Sequence, residues 1–111
     1  MIEITVLNHL EQKLQTAVYM EFPVNPPGRF VVLRKADSGR ENHIDSAMFT
    51  ARSYAESVLE SAKLNESVKA AMDTLPEREE VSSSRLNGDY PMMDTANKRY
   101  CYQAVYDITH Y

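Results

Sequence analysis

The sequence predicts a single α+β domain: an N-terminal helix, a mainly antiparallel sheet of about four to five strands, and a second helix packed on that sheet, in the order α-β-β-β-α-β-β. Three observations carry this expectation. Apolar residues near the start recur at three- and four-residue spacing; residues 29–36, 44–52 and 99–111 are β-branched or alternating; and residues 53–75 return to a helical period. A chain of 111 residues fits one unit, 1–111, with one core.

The first helix rests on Val6, Leu7, Leu10, Leu14 and Ala17, with Asn8, Glu11, Gln12 and Gln15 between them, and is predicted over roughly 3–16. VYMEF is a short β-favouring run, stopped by PVNPPG at 23–28, whose prolines and glycine force an extended or turning loop. RFVVLRKA at 29–36 reads as a strand, and DSGRENH at 37–43 as an exposed connection. In 44–52, Ile44, Met48 and Thr50 alternate with Asp45, Ala47, Phe49 and Ala51, giving another strand.

Ser53 and Glu56 have the spacing of a capping box and place the start of the second helix. Its apolar stripe changes sides near Lys63-Leu64-Asn65: Ala55, Val58, Leu59 and Ala62 share one face, while Leu64, Val68, Ala71, Met72 and Leu75 fall nearly opposite. Either the helix breaks there, with Asn65 capping a second segment, or one helix is covered on both faces. Pro76 ends it in either case. In 77–94, Asn87-Gly88 marks either a hairpin turn or a glycine bulge inside one long twisted strand. DTANK at 94–98 is a turn. The last strand, RYCYQAVYDITHY, puts Tyr100, Tyr102, Ala104, Tyr106 and Ile108 on one face, expected to be core, and Cys101, Gln103, Val105, Asp107 and Thr109 on a mixed one. So aromatic an end suggests partners on more than one side.

A formal charge of −4 offers no basic footprint, so tight sequence-independent nucleic-acid binding is not expected. Cys101, the only cysteine, excludes an intrachain disulfide and a cysteine-based zinc cluster and fits a reducing compartment. No signal peptide or membrane span is expected, and Asn65-Glu66-Ser67 is then a chance sequon. No dinucleotide fingerprint, P-loop, HExxH or GxSxG occurs. His9, His43 and His110 lack metal-site spacing, the Glu77, Glu79 and Glu80 cluster reads as a solvated charge run, and Cys101 and His110 point to opposite faces of one strand. Neither an enzyme nor a cofactor is expected.

Two stretches, HIDSAMFTARSYAESVLESAKLNESVKAAM at 43–72 and the closing RYCYQAVYDITHY, together with the short first helix and PPGRFVVLRK, resemble the small tail terminator (tail completion) proteins of long-tailed siphophages, especially those infecting Gram-positive hosts. The resemblance implies a structural assembly protein of a phage or prophage, sited at the head-tail junction of the virion and in the host cytoplasm during assembly. Such proteins form a six-membered ring that caps the finished tail tube and presents the surface that the filled head joins. The implied partners are further copies of the chain, the tail tube protein and the head-tail connector, with DNA passing through the lumen without specific binding and no membrane contact. Small head completion (neck adaptor) subunits share the size and plan and are the alternative. A module that captures a peptide on its sheet edge is a second one.

Contacts with tube and connector are expected from the exposed Arg34, Lys35, Arg40 and Glu41 and from the 77–94 segment with Tyr90 and Met92. Ring neighbours are expected over Leu64 and Val68 on the second helix, and over Cys101, Val105 and Tyr111 on the last strand.

Overall fold

The computed structural model describes residues 1–111. The predicted order holds: α1 (Ile2–Lys13), β1 (Ala17–Tyr19), β2 (Phe30–Glu41), β3 (Ile44–Tyr54), α2 (Val58–Asp73), a 3-10 turn (Leu75–Glu77), β4 (Val81–Asp94) and β5 (Arg99–His110). One five-stranded sheet runs β1-β2-β3-β5-β4, antiparallel except for the short β1–β2 pair. Both helices lie on one face.

β2 and β3 form a hairpin, and so do β4 and β5; the two are joined by β3 pairing with β5. The chain's last strand is therefore interior to the sheet, which accounts for its aromatic, well-tied end. Both of its edges are satisfied by strands of the same chain, and the open edges of the sheet belong to β4 and to β2 beyond its short pairing with β1.

Under the helices, Ala47, Phe49 and Ala51 of β3 and Ala104, Tyr106 and Ile108 of β5 meet Leu64, Val68, Ala71 and Met72 of α2 and Ile2, Val6 and Leu10 of α1 in one core. The alanines at the centre of the sheet let α2 approach closely, and Tyr106 crosses to α2, its hydroxyl donating to Asp73 Oδ1 at 2.8 Å.

Several boundaries differ from the sequence expectation. α1 ends at Lys13 because Leu14 turns extended (φ −100°, ψ 145°) and drops into the core. Of VYMEF, only residues through Tyr19 are strand. Residues 37–41 are strand rather than a loop: β2 runs on to Glu41, and Asn42 and His43, with φ 52° and 67°, make a two-residue turn into β3. Positive φ at both central positions is the backbone of a type I′ hairpin.

Helix α2 starts four residues later than predicted. Ser53 stays in β3 and is buried, while Ser57 is the cap, its hydroxyl accepting from Glu60 N–H at 3.1 Å. The same S-x-x-E spacing recurs at 57–60, and β3 holds the earlier copy extended through Tyr54. α2 is one uninterrupted helix, with Asn65 buried inside it rather than capping a second segment. Asn87-Gly88 is a bulge in β4, where the register slips between Leu86 and Gly88. The extra residue turns Asp89 to the helix side, and there its carboxylate meets Asn65 Nδ2 at 2.8 Å and Lys69 Nζ at 2.9 Å on α2.

Candidate interaction surface

The face of the sheet opposite the helices is covered only in part. Phe30 and Tyr54, paired across β2 and β3, stack with centroids 4.7 Å apart. Phe22, from the proline-rich loop before β2, meets both rings edge-on at 5.4 Å. The Arg99 guanidinium lies 5.3 Å from the Phe30 centroid and 5.9 Å from that of Tyr54, a cation–π arrangement. Val32, Cys101 and Met92 complete this second, smaller core. Its sequence signal is the unbroken apolar run FVVL, the pattern of a strand buried on both faces.

Beyond that cluster, toward the β2–β3 turn, the face is open. At its border with the cluster runs a row of register partners: Val32, itself part of the cluster, Arg52, the buried Gln103 and Tyr90. Arg52 Nε donates to Gln103 Oε1 at 2.8 Å, and Gln103 Nε2 donates to the Tyr90 hydroxyl at 2.6 Å, so the row is fixed across three strands. Next comes Arg34, Thr50, Val105 and Gly88, and then Asp37, Met48, Asp107 and Arg85. Small and half-buried side chains bracketed by charges make a flat, mixed surface.

Two unlike strand edges flank it. β1 pairs only with Phe30–Val32, so the outer side of β2 from Leu33 onward has no neighbouring strand. β4 has none along its whole outer side. Bulges between Lys35 and Asp37, Val81 and Ser83, and Leu86 and Gly88, with Pro91, interrupt these edges and blunt indiscriminate pairing. Arg40 Nε and Asp45 Oδ1, 2.6 Å apart, brace the base of the turn at the tip of the β2–β3 arm, and a groove of about 430 Å³ separates the arm from the start of α1, lined by Ile2, Lys35, Asp45 and His110 among others. Apolar side chains are exposed beside both edges. Tyr100 (63 %) and Met93 are exposed on the β4 side with Val58 beside Tyr100, Leu59 (65 %) is exposed at the start of α2, and Ile4 and Met20 are exposed near β1 and β2.

The predicted contact residues distribute unevenly over this surface. Arg34, Tyr90 and Val105 share the open face, with Arg34 and Tyr90 exposed and Val105 half-buried. Lys35 points to the helix side and pairs with Glu3 of α1 at 3.0 Å. Arg40 and Glu41 stand at the arm tip, and Tyr111 is exposed, its N–H donating to Glu80 O.

Leu64 and Val68 do not reach a surface: they face the sheet and are covered by the chain's own core. The solvent-facing apolar residues of α2 are instead Val58 and Leu59, because the stripe that changes sides is buried only from Ser61 onward. Cys101, 1 % exposed, and Met92 belong to the second core; burial pushes the Cys101 thiol up, away from the reactive thiolate. On β5, Ala104, Tyr106 and Ile108 are core as expected, but Tyr102 is half-buried and Tyr100 is exposed, lining a shallow groove with Ser57 and Val58 at the very start of α2.

No three His, Cys, Asp or Glu side chains converge in a way that would hold a metal ion, and no helix is long and apolar enough to cross a membrane. No protein-family model matches the chain, and no curated protein matches it significantly.

Proposed function

We propose that this chain is a ring-forming subunit of a phage tail, capping the completed tail tube and offering the surface to which the head is joined. The observation that carries the reading is the pair of unlike open edges on one sheet, the β2 arm on one side and β4 on the other, each with exposed apolar side chains nearby. A closed ring requires two different patches that meet head to tail, whereas a two-fold dimer requires one self-complementary patch. The resemblance of 43–72 and 99–111 to tail terminator proteins supplies the identity of the assembly. The open face, with its fixed Arg52-Gln103-Tyr90 row, is the surface assigned to tube or connector.

The test is cross-linking of Ser38→Cys on the β2 arm and Leu86→Cys on β4, separately and together, followed by native mass spectrometry and negative-stain imaging. Unlike-position cross-links that accumulate into six-subunit particles with a central hole are expected. Cross-links between identical positions in a two-fold dimer overturn the proposal, as does a chain that stays monomeric under these conditions. The free β4 edge favours one second reading, capture of an extended peptide, for which a one-to-one complex with a peptide and no self-assembly is the signature.

A further inference from the structure

His9 is fully buried in α1, yet its ring is bonded on both sides. Arg78, in the strap that leads from the 3-10 turn into β4, directs Nε at His9 Nδ1 at 3.0 Å. A guanidinium only donates, so Nδ1 is an acceptor and the imidazole proton sits on Nε2. From there it points to Ala71 O at 3.0 Å and Thr74 Oγ1 at 2.9 Å at the end of α2. Thr74 in turn donates to Ala71 O. One neutral tautomer therefore ties together α1, the C-terminus of α2 and the strap.

A second proton has nowhere to go. It would occupy Nδ1, toward which Arg78 N–H already points, placing two donors and two positive charges 3.0 Å apart. Of the charged groups facing the ring, Lys13 on α1 adds a further positive charge, and the carboxylate of Glu77 in the turn is held by Lys13 at 3.2 Å. From α2 the ring meets only the Ala71 carbonyl and the Thr74 hydroxyl. The strap's other ties to α1 are the Arg78–Gln12 bond at 2.6 Å and the Thr5–Glu80 bond at 2.7 Å.

We propose that His9 and Arg78 form an acid-released latch: protonation of His9 expels Arg78 and frees residues 74–80, loosening the first residues of edge strand β4 while the sheet stays folded. Burial, reinforced by Arg78 and Lys13 and opposed by the Ala71 bond, holds the His9 proton affinity below its ordinary value in the closed state. The closed latch is thus fully stable above the ordinary histidine value and loses stability as pH falls through the depressed one. Between the two values the opening equilibrium grows by about tenfold per pH unit. This latch does not depend on the assembly role.

Two readings on the intact protein test it across pH 7.5 to 4.5: long-range proton–nitrogen NMR of the His9 ring, and amide exchange corrected for intrinsic rates. The expected result is an Nε2–H tautomer at neutral pH, then protonation in step with loss of protection at Arg78 and Val81, while Phe49 and Tyr106 stay protected. Arg78→Ala should raise the His9 midpoint toward that of free histidine, and His9→Gln should make strap exchange independent of pH. The proposal is overturned by protonation of His9 with the strap still protected, by simultaneous loss of protection at Phe49 and Tyr106, or by an Arg78→Ala midpoint equal to wild type. If His9→Gln fails to fold, the Arg78→Ala midpoint decides alone.

Discussion

The Tyr54 hydroxyl donates to Asp94 Oδ2 at 2.6 Å, deep enough that Asp94 is only 6 % exposed, and Asn97 donates to both oxygens of the same carboxylate. One buried charge thus fixes the end of β3, the end of β4 and the turn into β5. Burial alone would raise the Asp94 pKa, but the bonds from Tyr54 and Asn97 outweigh it and hold the group below the ordinary carboxylate value. A depressed carboxylate stabilises the fold above its unfolded value and loses that contribution as pH falls through the folded one. Tyr54→Phe keeps the stack on Phe30 and removes one donor. It should cost about 1–2 kcal/mol at neutral pH and move the acid-unfolding limb to higher pH, both readable by urea titration at several pH values. An unchanged acid limb would show that Asn97 alone sustains the charge.

At the scale of elements, the β2–β3 arm turns on Asn42 and His43, both in the left-handed region. An L-residue with a Cβ is strained there and glycine is not, so His43→Gly should stabilise the fold by up to about 1 kcal/mol. A higher thermal midpoint with unchanged oligomeric state is the expected outcome; a lower one would mean that the His43 side chain makes the turn. The same arm marks where the sequence was legible and where it was not. Element order and type followed from period and composition together: Val6 and Leu10, or Ala47, Phe49 and Ala51, repeat at the spacing of their element, FVVL is β-favouring, and only 77–94 stayed open between a hairpin and one bulged strand. Residues 37–43 misled because Asp, Ser, Gly and Asn are turn formers on average, and the pairing of Ser38 with Ala47 and Gly39 with Ser46 that overrides them is a long hairpin no local window contains. Ser53 misled for a related reason, since a second cap signal lies at Ser57 and only the packing of Tyr54 decides between them. For the candidate surface, Arg34 and Tyr90 were visible as exposed positions, but which strand edges stay open depends on strand order, which periodicity does not encode.

At the scale of the whole molecule, neighbouring basic residues part company across the sheet. Arg34 lies on the open face with no acidic partner, while Lys35 is tied to Glu3 beneath α1. Arg34→Glu should leave stability within about 0.5 kcal/mol of wild type yet weaken assembly if the open face is the docking surface. Lys35→Glu places like charges together and should cost about 1 kcal/mol without that selectivity. Denaturant midpoints and sedimentation of both variants separate the effects, and equal losses of assembly in the two would argue that β2 charge matters only in bulk. Strand order has one more effect, on how the chain is made. β5 is synthesised after every other strand but sits between β3 and β4, and its Ala104, Tyr106 and Ile108 floor the main core. Partners across the β3–β5 seam, from Asp45 with His110 to Ser53 with Tyr102, lie far apart in sequence. A nascent chain that has not yet released β5 holds the β2–β3 hairpin with Phe49 uncovered on one side, so folding must wait for the last dozen residues of the domain to clear the ribosome.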